Sequence, residues 1–294
     1  MGRAAVISAW VEAMRLRTLP VSLAGVIFAG ALGRLAWHFR PVAWLLCLLF
    51  ALLAQIASNF ANEYYDYKAG LDRVGRDGPR RGVTEGDITP RAMLRATYGT
   101  LALACAVGVT LVAVYGQWWM YIVGILTALG VVAYSSGPFP LSHHGLGEVA
   151  VVLFFGVVPV TLTYMLMGGY FSWWIVAIAV GVGLMGANVL IVNNYRDLDD
   201  DAAVGKRTLA VRLGRRAMGS VYLANGFMAA ILTMPVWLAA AVWGWIVPCV
   251  YVGLHFMLFT RLVRRRGQAL NPLLGMTAML MLLYALALWA ATLV

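Results

Sequence analysis

Nearly uncharged apolar blocks of about 17 to 25 residues recur along the whole chain, each long enough to cross a hydrocarbon core of ~30 Å at 1.5 Å per residue. Lipid offers no partner to backbone N–H and C=O groups, so such blocks must be helices or the strands of a closed barrel. Unbroken apolar runs lack the alternation of a barrel strand, which leaves an all-α polytopic membrane protein. Nine spans are expected: Leu19 to Leu35, Val42 to Asn62, Met93 to Tyr115, Trp118 to Tyr134, Gly147 to Met167, Phe171 to Asn193, Ala217 to Met234, Pro235 to Phe259 and Leu270 to Val294. The whole chain, 1–294, reads as one transmembrane domain with polar loops at about 63–92 and 194–216.

The formal charge of +10 raises the question of a nucleic-acid partner, and its distribution excludes one. Of 22 Lys and Arg, three precede the first span, seven lie from Lys68 to Arg95, six from Arg196 to Arg216 and four from Arg261 to Arg266. With nine spans all of these fall on one side, and only Arg34 and Arg40 on the other. The positive-inside rule then places the N-terminus and these loops in the cytoplasm and the C-terminus outside, in a plasma (inner) membrane. No small-residue cleavage site stands behind a short apolar region, so no cleaved signal peptide is expected. Residues 4–14 read as an interfacial segment with Val6, Ile7, Trp10, Val11 and Met14 turned to lipid. Cys47, Cys105 and Cys249 sit in separate apolar spans and read as packing residues.

Acidic residues are informative in such a chain because each is costly near lipid. Ten of the 12 fall in two clusters, Glu63 to Asp87 and Asp197 to Asp201, after spans two and six and on the same face. In the first, QIASNFANEYYDYKAGLD, Asn62 and Asp66 are four apart and share a helix face, with Asn59 one turn earlier. Gly70 permits a turn that returns Asp72 beside Asp66. In the second, NNYRDLDDD, Asn193, Asp197 and Asp201 follow at steps of four. Asn and carboxylate oxygens are hard ligands suited to Mg²⁺, which is usually completed by substrate phosphates. Two facing clusters suit two ions with a diphosphate between them. Lys68, Arg73, Arg80 and Arg81 in the first loop and Arg196, Lys206 and Arg207 in the second could meet the same phosphates.

The plainer reading of one such cluster is a solvated loop whose acids cap helices. Recurrence of Asn four residues before Asp on one membrane face favours the metal-diphosphate reading. Gly181, Gly183 and Gly186 spell GxGxxG inside a span, with no preceding strand, and read as close helix packing. His143 and His144 read as interfacial polar residues, and Tyr64, Tyr65, Tyr134 and Tyr195 as interfacial aromatics whose ring faces could steady a carbocation.

With both clusters in view, the chain resembles the UbiA superfamily of intramembrane prenyltransferases. The stretches that carry the likeness are RLRTLP at 15–20, NFANEYYDYKAGLD at 59–72, GPFPLSHHGLGE at 137–148 and NNYRDLDDDAAVGKRTLAVRLG at 193–214. The resemblance implies a nine-helix bundle around a central chamber, and Mg²⁺-diphosphate binding by Asn62, Asp66, Asp72, Asp197 and Asp201. It further implies transfer of a polyprenyl chain from polyprenyl diphosphate to an aromatic acceptor, with greatest similarity to the members that prenylate 1,4-dihydroxy-2-naphthoate on the way to menaquinone. In that reading Asn59, Asn193, Asn194 and Tyr134 line the substrates, and Arg15 or Arg17 holds the acceptor carboxylate. The alternatives are 4-hydroxybenzoate or homogentisate as acceptor, and outside this class a transporter. A transporter predicts broken helices with ionisable groups at the bilayer midplane, whereas the charges here sit at helix ends. A CDP-alcohol phosphotransferase is disfavoured because Asp77-Gly78 is followed by Pro-Arg-Arg where that motif needs Ala-Arg.

Overall fold

The computed structural model describes residues 3–72 and 80–293. Helix α1 (Arg3–Ala13) precedes α2 (Leu19–Leu35), α3 (Pro41–Lys68), α4 (Pro90–Tyr115) and α5 (Trp119–Ala133). A crossing built of α6 (Gly147–Val151), a π-helical turn (Val152–Val157) and α7 (Val158–Leu166) follows. Then come α8 (Trp173–Arg196), the short α9 (Leu198–Ala203), α10 (Leu209–Ala240), α11 (Ile246–Arg264) and α12 (Asn271–Ala291). The described residues contain no strand, as the unbroken apolar runs require.

Local chemistry sets most of the helix ends. Proline stands in the first turn of α2, α3, α4 and α12, where its missing N–H costs nothing. The side chains of Thr89, Ser172 and Thr208 cap α4, α8 and α10 by accepting from Ala92, Trp174 and Val211 N–H groups. The two Asp-bearing helices end alike. After α3, Gly70 has φ 69°, and the N–H groups of Gly70 and Leu71 return to the carbonyls of Tyr67 and Asp66. After α9, Gly205 has φ 78°, and Gly205 and Lys206 return to Ala202 and Asp201. Both are glycine-terminated caps in which the Asp carbonyl accepts the outermost bond.

Among the described residues, eight helices are long and apolar enough to cross a membrane. The fourth expected span, Trp118 to Tyr134, corresponds to α5, whose 15 residues fall short of the ~20 that cover the hydrocarbon core. The expected break at Pro235 is absent. Helix α10 runs through this proline to Ala240, and the turn falls at Gly244, where a Cβ would lie 1.8 Å from the Trp237 carbonyl oxygen. Proline within a span is tolerated where neighbouring helices support it.

The spans close into a ring: α2 packs on α3, on α7 and, at the end of the chain, on α12, while α8 packs on α10 and on the π-helical turn. The main core joins α2, α8, α10, α11 and α12 around Phe28, Ile191, Tyr222, Trp237, Met281 and Leu288. The GxGxxG stretch serves packing, as the sequence implied. A Cβ on Gly181 would press on Leu232 and Thr233 of α10, whereas one on Gly183 would lie 2.6 Å from the Val152 carbonyl oxygen. Gly156 faces Gly183 with equal closeness, a Cβ there falling 2.4 Å from Ala179 O. The expected lipid-facing N-terminal segment is only partly so: Ile7 and Val11 are exposed, but Trp10 packs edge-on against Phe60. With Ala9, Ala13 and Met14 it forms a small core with Val83, Ile88 and Met93, because the described residues before and at the start of α4 pack against α1.

Candidate active site

A cavity of about 610 Å³ opens where α2, α3, the π-helical turn, α8 and α12 meet. Its deeper wall is apolar, with Val21, Val151, Phe155, Val189 and Leu274, and its other end carries the polar residues of both Asp clusters.

The first cluster is organised by α3. Asn62 and Asp66 stand one turn apart on the cavity face, and Asn62 Nδ2 lies 3.3 Å from Asp66 Oδ2 and 3.0 Å from Ser135 Oγ. Asn62 Oδ1 accepts from Arg15 and, at 3.1 Å, from Arg81. Arg15 reaches it from a left-handed turn, φ 52°, which is uncommon outside glycine. Asn59 pins that turn by donating to Met14 O at 2.8 Å. Arg81 lies between two acids, 3.9 Å from Asp66 Oδ2 and 3.3 Å, through Nε, from Asp72 Oδ2. The buried Glu63 accepts the Val83 N–H at 3.1 Å and so anchors the loop that carries Arg81.

The second cluster is held by an arginine fork. Arg196 donates from Nε and Nη2 to the two carboxylate oxygens of Asp197 at 2.6 and 2.8 Å, and also to Asn193 Oδ1 and Asn271 Oδ1. This bidentate geometry needs a planar guanidinium. Of the four aspartates at 197–201, Asp197 and Asp201 are buried and border the cavity, while Asp199 and Asp200 are exposed. Asp199 takes a fork from Arg215 at 2.7 and 3.1 Å, which holds its carboxyl below the usual carboxylate range.

Two contacts tie the clusters together. Lys206, directly after the Gly205 cap, donates to Asp66 Oδ2 at 3.2 Å. His143 places Nε2 3.5 Å from Asp66 Oδ1 while its backbone carbonyl accepts the Arg207 N–H at 3.0 Å. Chemically, the cavity pairs hard oxygen donors with Arg15, Arg17, Arg81, Arg196 and Lys206. That combination can hold a polyanion and its counter-cations, and the apolar wall suits a hydrocarbon. Among the described residues, no three His, Cys, Asp or Glu side chains already converge on one point as an ion site.

Of the residues singled out in the sequence, Arg17, Asn59, Asn62, Asp66, Arg80, Tyr134, Asn193, Asn194, Arg196, Asp197, Asp201 and Lys206 border this cavity. Asp72 does not border it and sits behind Arg81. Arg80 borders it while paired with Asp87. Lys68 and Arg207 are exposed and outside it. Arg73 lies outside the described residues. The structure adds Ser135, His143, Glu148 and Asn271, which carried no periodic signal. His143 and Glu148 do fall in the GPFPLSHHGLGE stretch, and the reading of His143 as a merely interfacial residue is corrected by its contact with Asp66.

The model of the UbiA prenyltransferase family matches residues 19–284. The chain belongs to the UbiA prenyltransferase family. It is 37% identical over 282 residues to the 1,4-dihydroxy-2-naphthoate octaprenyltransferase of Mycobacterium tuberculosis, covering 95% of this chain and 94% of that one. To the enzyme of the same name from Escherichia coli it is 36% identical over 245 residues, 81% of this chain and 80% of the relative. Its fold matches a UbiA homologue from Archaeoglobus fulgidus solved with GPP and Mg²⁺, with a TM-score of 0.68 at 17% identity over 96% of this chain and 99% of that one. The chain is therefore an integral membrane protein of the UbiA fold.

Proposed function

We propose that this chain transfers a polyprenyl group from polyprenyl diphosphate to 1,4-dihydroxy-2-naphthoate in menaquinone synthesis, acting across its whole length as one domain. The observation that carries the reading is the meeting of α3 and α8 at one cavity. There Asn62, Asp66, Asp197 and Asp201 share a wall with the cations Arg81, Arg196 and Lys206. The names of the relatives from Escherichia coli and Mycobacterium tuberculosis support the acceptor.

The donor set fits Mg²⁺, since every candidate ligand is a hard oxygen. Asn62, Asp66, Asp197 and Asp201 would hold it, and Asp72 would act on the same set through Arg81. When bound, Mg²⁺ would supply positive charge for the leaving diphosphate. The protein's own cations do the rest of that work. Lys206, Arg81 and Arg196, now spread over carboxylates, are within the same cavity as the diphosphate and stabilise the negative charge that grows as the allylic C–O bond breaks and its electron pair stays on oxygen. The apolar wall at Val151, Phe155 and Leu274 keeps water from the allylic cation, and the Tyr134 ring steadies it. A ring carbon of the acceptor supplies the electron pair of the new C–C bond, and the carboxylate leaves as CO₂, returning a pair to the ring. Arg17 borders the cavity with no acidic partner among the described residues, so it is the cation left for the acceptor carboxylate. The N-terminus and both Asp-bearing loops face the cytoplasm at the plasma membrane.

Incubation with polyprenyl diphosphate and, in turn, 1,4-dihydroxy-2-naphthoate, 4-hydroxybenzoate and homogentisate tests this. Prenylated naphthoquinol from the first is expected. Product from another acceptor alone would reassign the acceptor, and no product from any of them would overturn prenyl transfer.

A further inference from the structure

Glu148 is an acid that the diphosphate chemistry leaves unused. It lies in the first turn of α6, is 7% exposed, and belongs to a helix that crosses the membrane. A carboxylate in such a place is costly unless its oxygens are satisfied. Its Oε1 accepts from Asn194 Nδ2 at 2.9 Å, whereas Oε2 is buried and takes no side-chain hydrogen bond from the described residues. The positive end of the helix dipole favours an anion at this turn. That does not explain why the side-chain partner found among the described residues belongs to the cavity wall.

Asn194 borders the cavity together with Asn193 and Tyr134. An ionised carboxylate can only accept hydrogen bonds. Facing Glu148, the amide of Asn194 therefore has one stable orientation, nitrogen toward the acid. Its Oδ1 takes no hydrogen bond from the described residues and is the atom left for a ligand. Without Glu148 the two orientations of the amide would be close in energy, and the cavity would meet a donor as often as an acceptor.

We infer that Glu148 is a positioning residue for the aromatic acceptor: it fixes Asn194 so that Oδ1 accepts the hydrogen of a ring hydroxyl. This rests on the prenyl-transfer reading above and names the group that reads the acceptor. The choice of atom separates the two substrates. A diphosphate offers only acceptor oxygens and is repelled by a carbonyl lone pair, whereas a dihydroxylated ring brings an O–H donor. A site built to hydrogen-bond a hydroxyl discriminates strongly against rings that lack it.

The test is Glu148→Gln, which keeps the shape but can donate, so Asn194 becomes free to turn over. The KM for the aromatic acceptor is expected to rise about tenfold, the effect of one hydrogen bond of ordinary strength, with KM for polyprenyl diphosphate and the Mg²⁺ requirement within about twofold of wild type. Asn194→Ala raises the same KM, and adding Glu148→Gln to it changes nothing further, because Glu148 acts through Asn194. Should Glu148→Gln fail to accumulate as folded protein, Asn194→Ala alone carries the test of the acceptor KM. An unchanged acceptor KM, a parallel rise in the donor KM or Mg²⁺ requirement, or additive losses in the double variant would each overturn the assignment. A wild-type protein that prenylates no aromatic ring instead overturns the reading on which it rests.

Discussion

Replacing Lys206 with methionine removes the charge that joins the two halves of the site while keeping an unbranched side chain. Lys206 Nζ and Asp66 Oδ2 are 3.2 Å apart, and at an effective dielectric of ~20 their attraction is about 5 kcal/mol before desolvation is counted. The side chains are 12% and 2% exposed, so solvent screens this pair little. Asp66 does not lose every partner, since His143 Nε2 remains at 3.5 Å and Arg81 at 3.9 Å. The stability loss is therefore that of one charge-assisted hydrogen bond, about 1.5–3 kcal/mol, below the ~3–5 kcal/mol of a wholly abandoned buried charge. The effect on turnover is larger. A preorganised charge aimed at a leaving oxyanion is worth ~10²–10³ in kcat, and Lys206→Met is expected to fall by that factor. Thermal unfolding in detergent measures the first quantity, and extraction of labelled product at saturating acceptor measures the second. A Lys206→Met protein that turns over within about threefold of wild type would refute the role given to this lysine.

Arg17→Gln is expected to raise KM for the carboxylated acceptor about tenfold and to leave KM for the diphosphate unchanged, as steady-state kinetics with each substrate varied will show. Gly156→Ala places a methyl group where a Cβ falls 2.4 Å from Ala179 O, so a loss of at least about 1–3 kcal/mol is expected in thermal unfolding, with Gly183→Ala behaving alike. Asp199→Asn breaks the exposed fork with Arg215 and should leave turnover within about twofold and stability within ~1 kcal/mol, which makes it the control for charge removal near the site.

The fold was legible because lipid leaves a chain few options. Long apolar runs had to be helices, and the Asn and Asp residues at spacing four had to share a face, which is how Asn62 and Asp66 enter the cavity. Positive-inside bias hid the individual cations. Lys206 and Arg207 are adjacent and carry the same charge, yet the Gly205 cap turns only Lys206 to Asp66, while Arg207 is exposed. Asp72 returned toward Asp66 as Gly70 allowed, but Arg81, held through Glu63 and Val83, came to lie against both acids. That outcome depends on a loop anchored across 20 residues, which spacing within one helix does not encode. His143 and Asn271 reach the site from other segments, and pairings of that range, such as Arg196 with Asn271 75 residues on, leave no periodic trace. The misplaced boundary at Pro235 shows the converse error. The apolar run continues on both sides of Pro235, and packing of α10 on α8 and α11 carries the helix through.

The central claim is that the Asp residues of α3 and those at the α8–α9 junction, Asp197 and Asp201, form one Mg²⁺-dependent site for prenyl transfer. Its most direct test uses purified wild type, Asp66→Ala and Asp197→Ala with labelled polyprenyl diphosphate and 1,4-dihydroxy-2-naphthoate, with Mg²⁺ and with the metal chelated. The account predicts prenylated naphthoquinol from wild type only when Mg²⁺ is present, and none from either variant. Product that persists without a divalent metal, or in a folded variant lacking either aspartate, would contradict it.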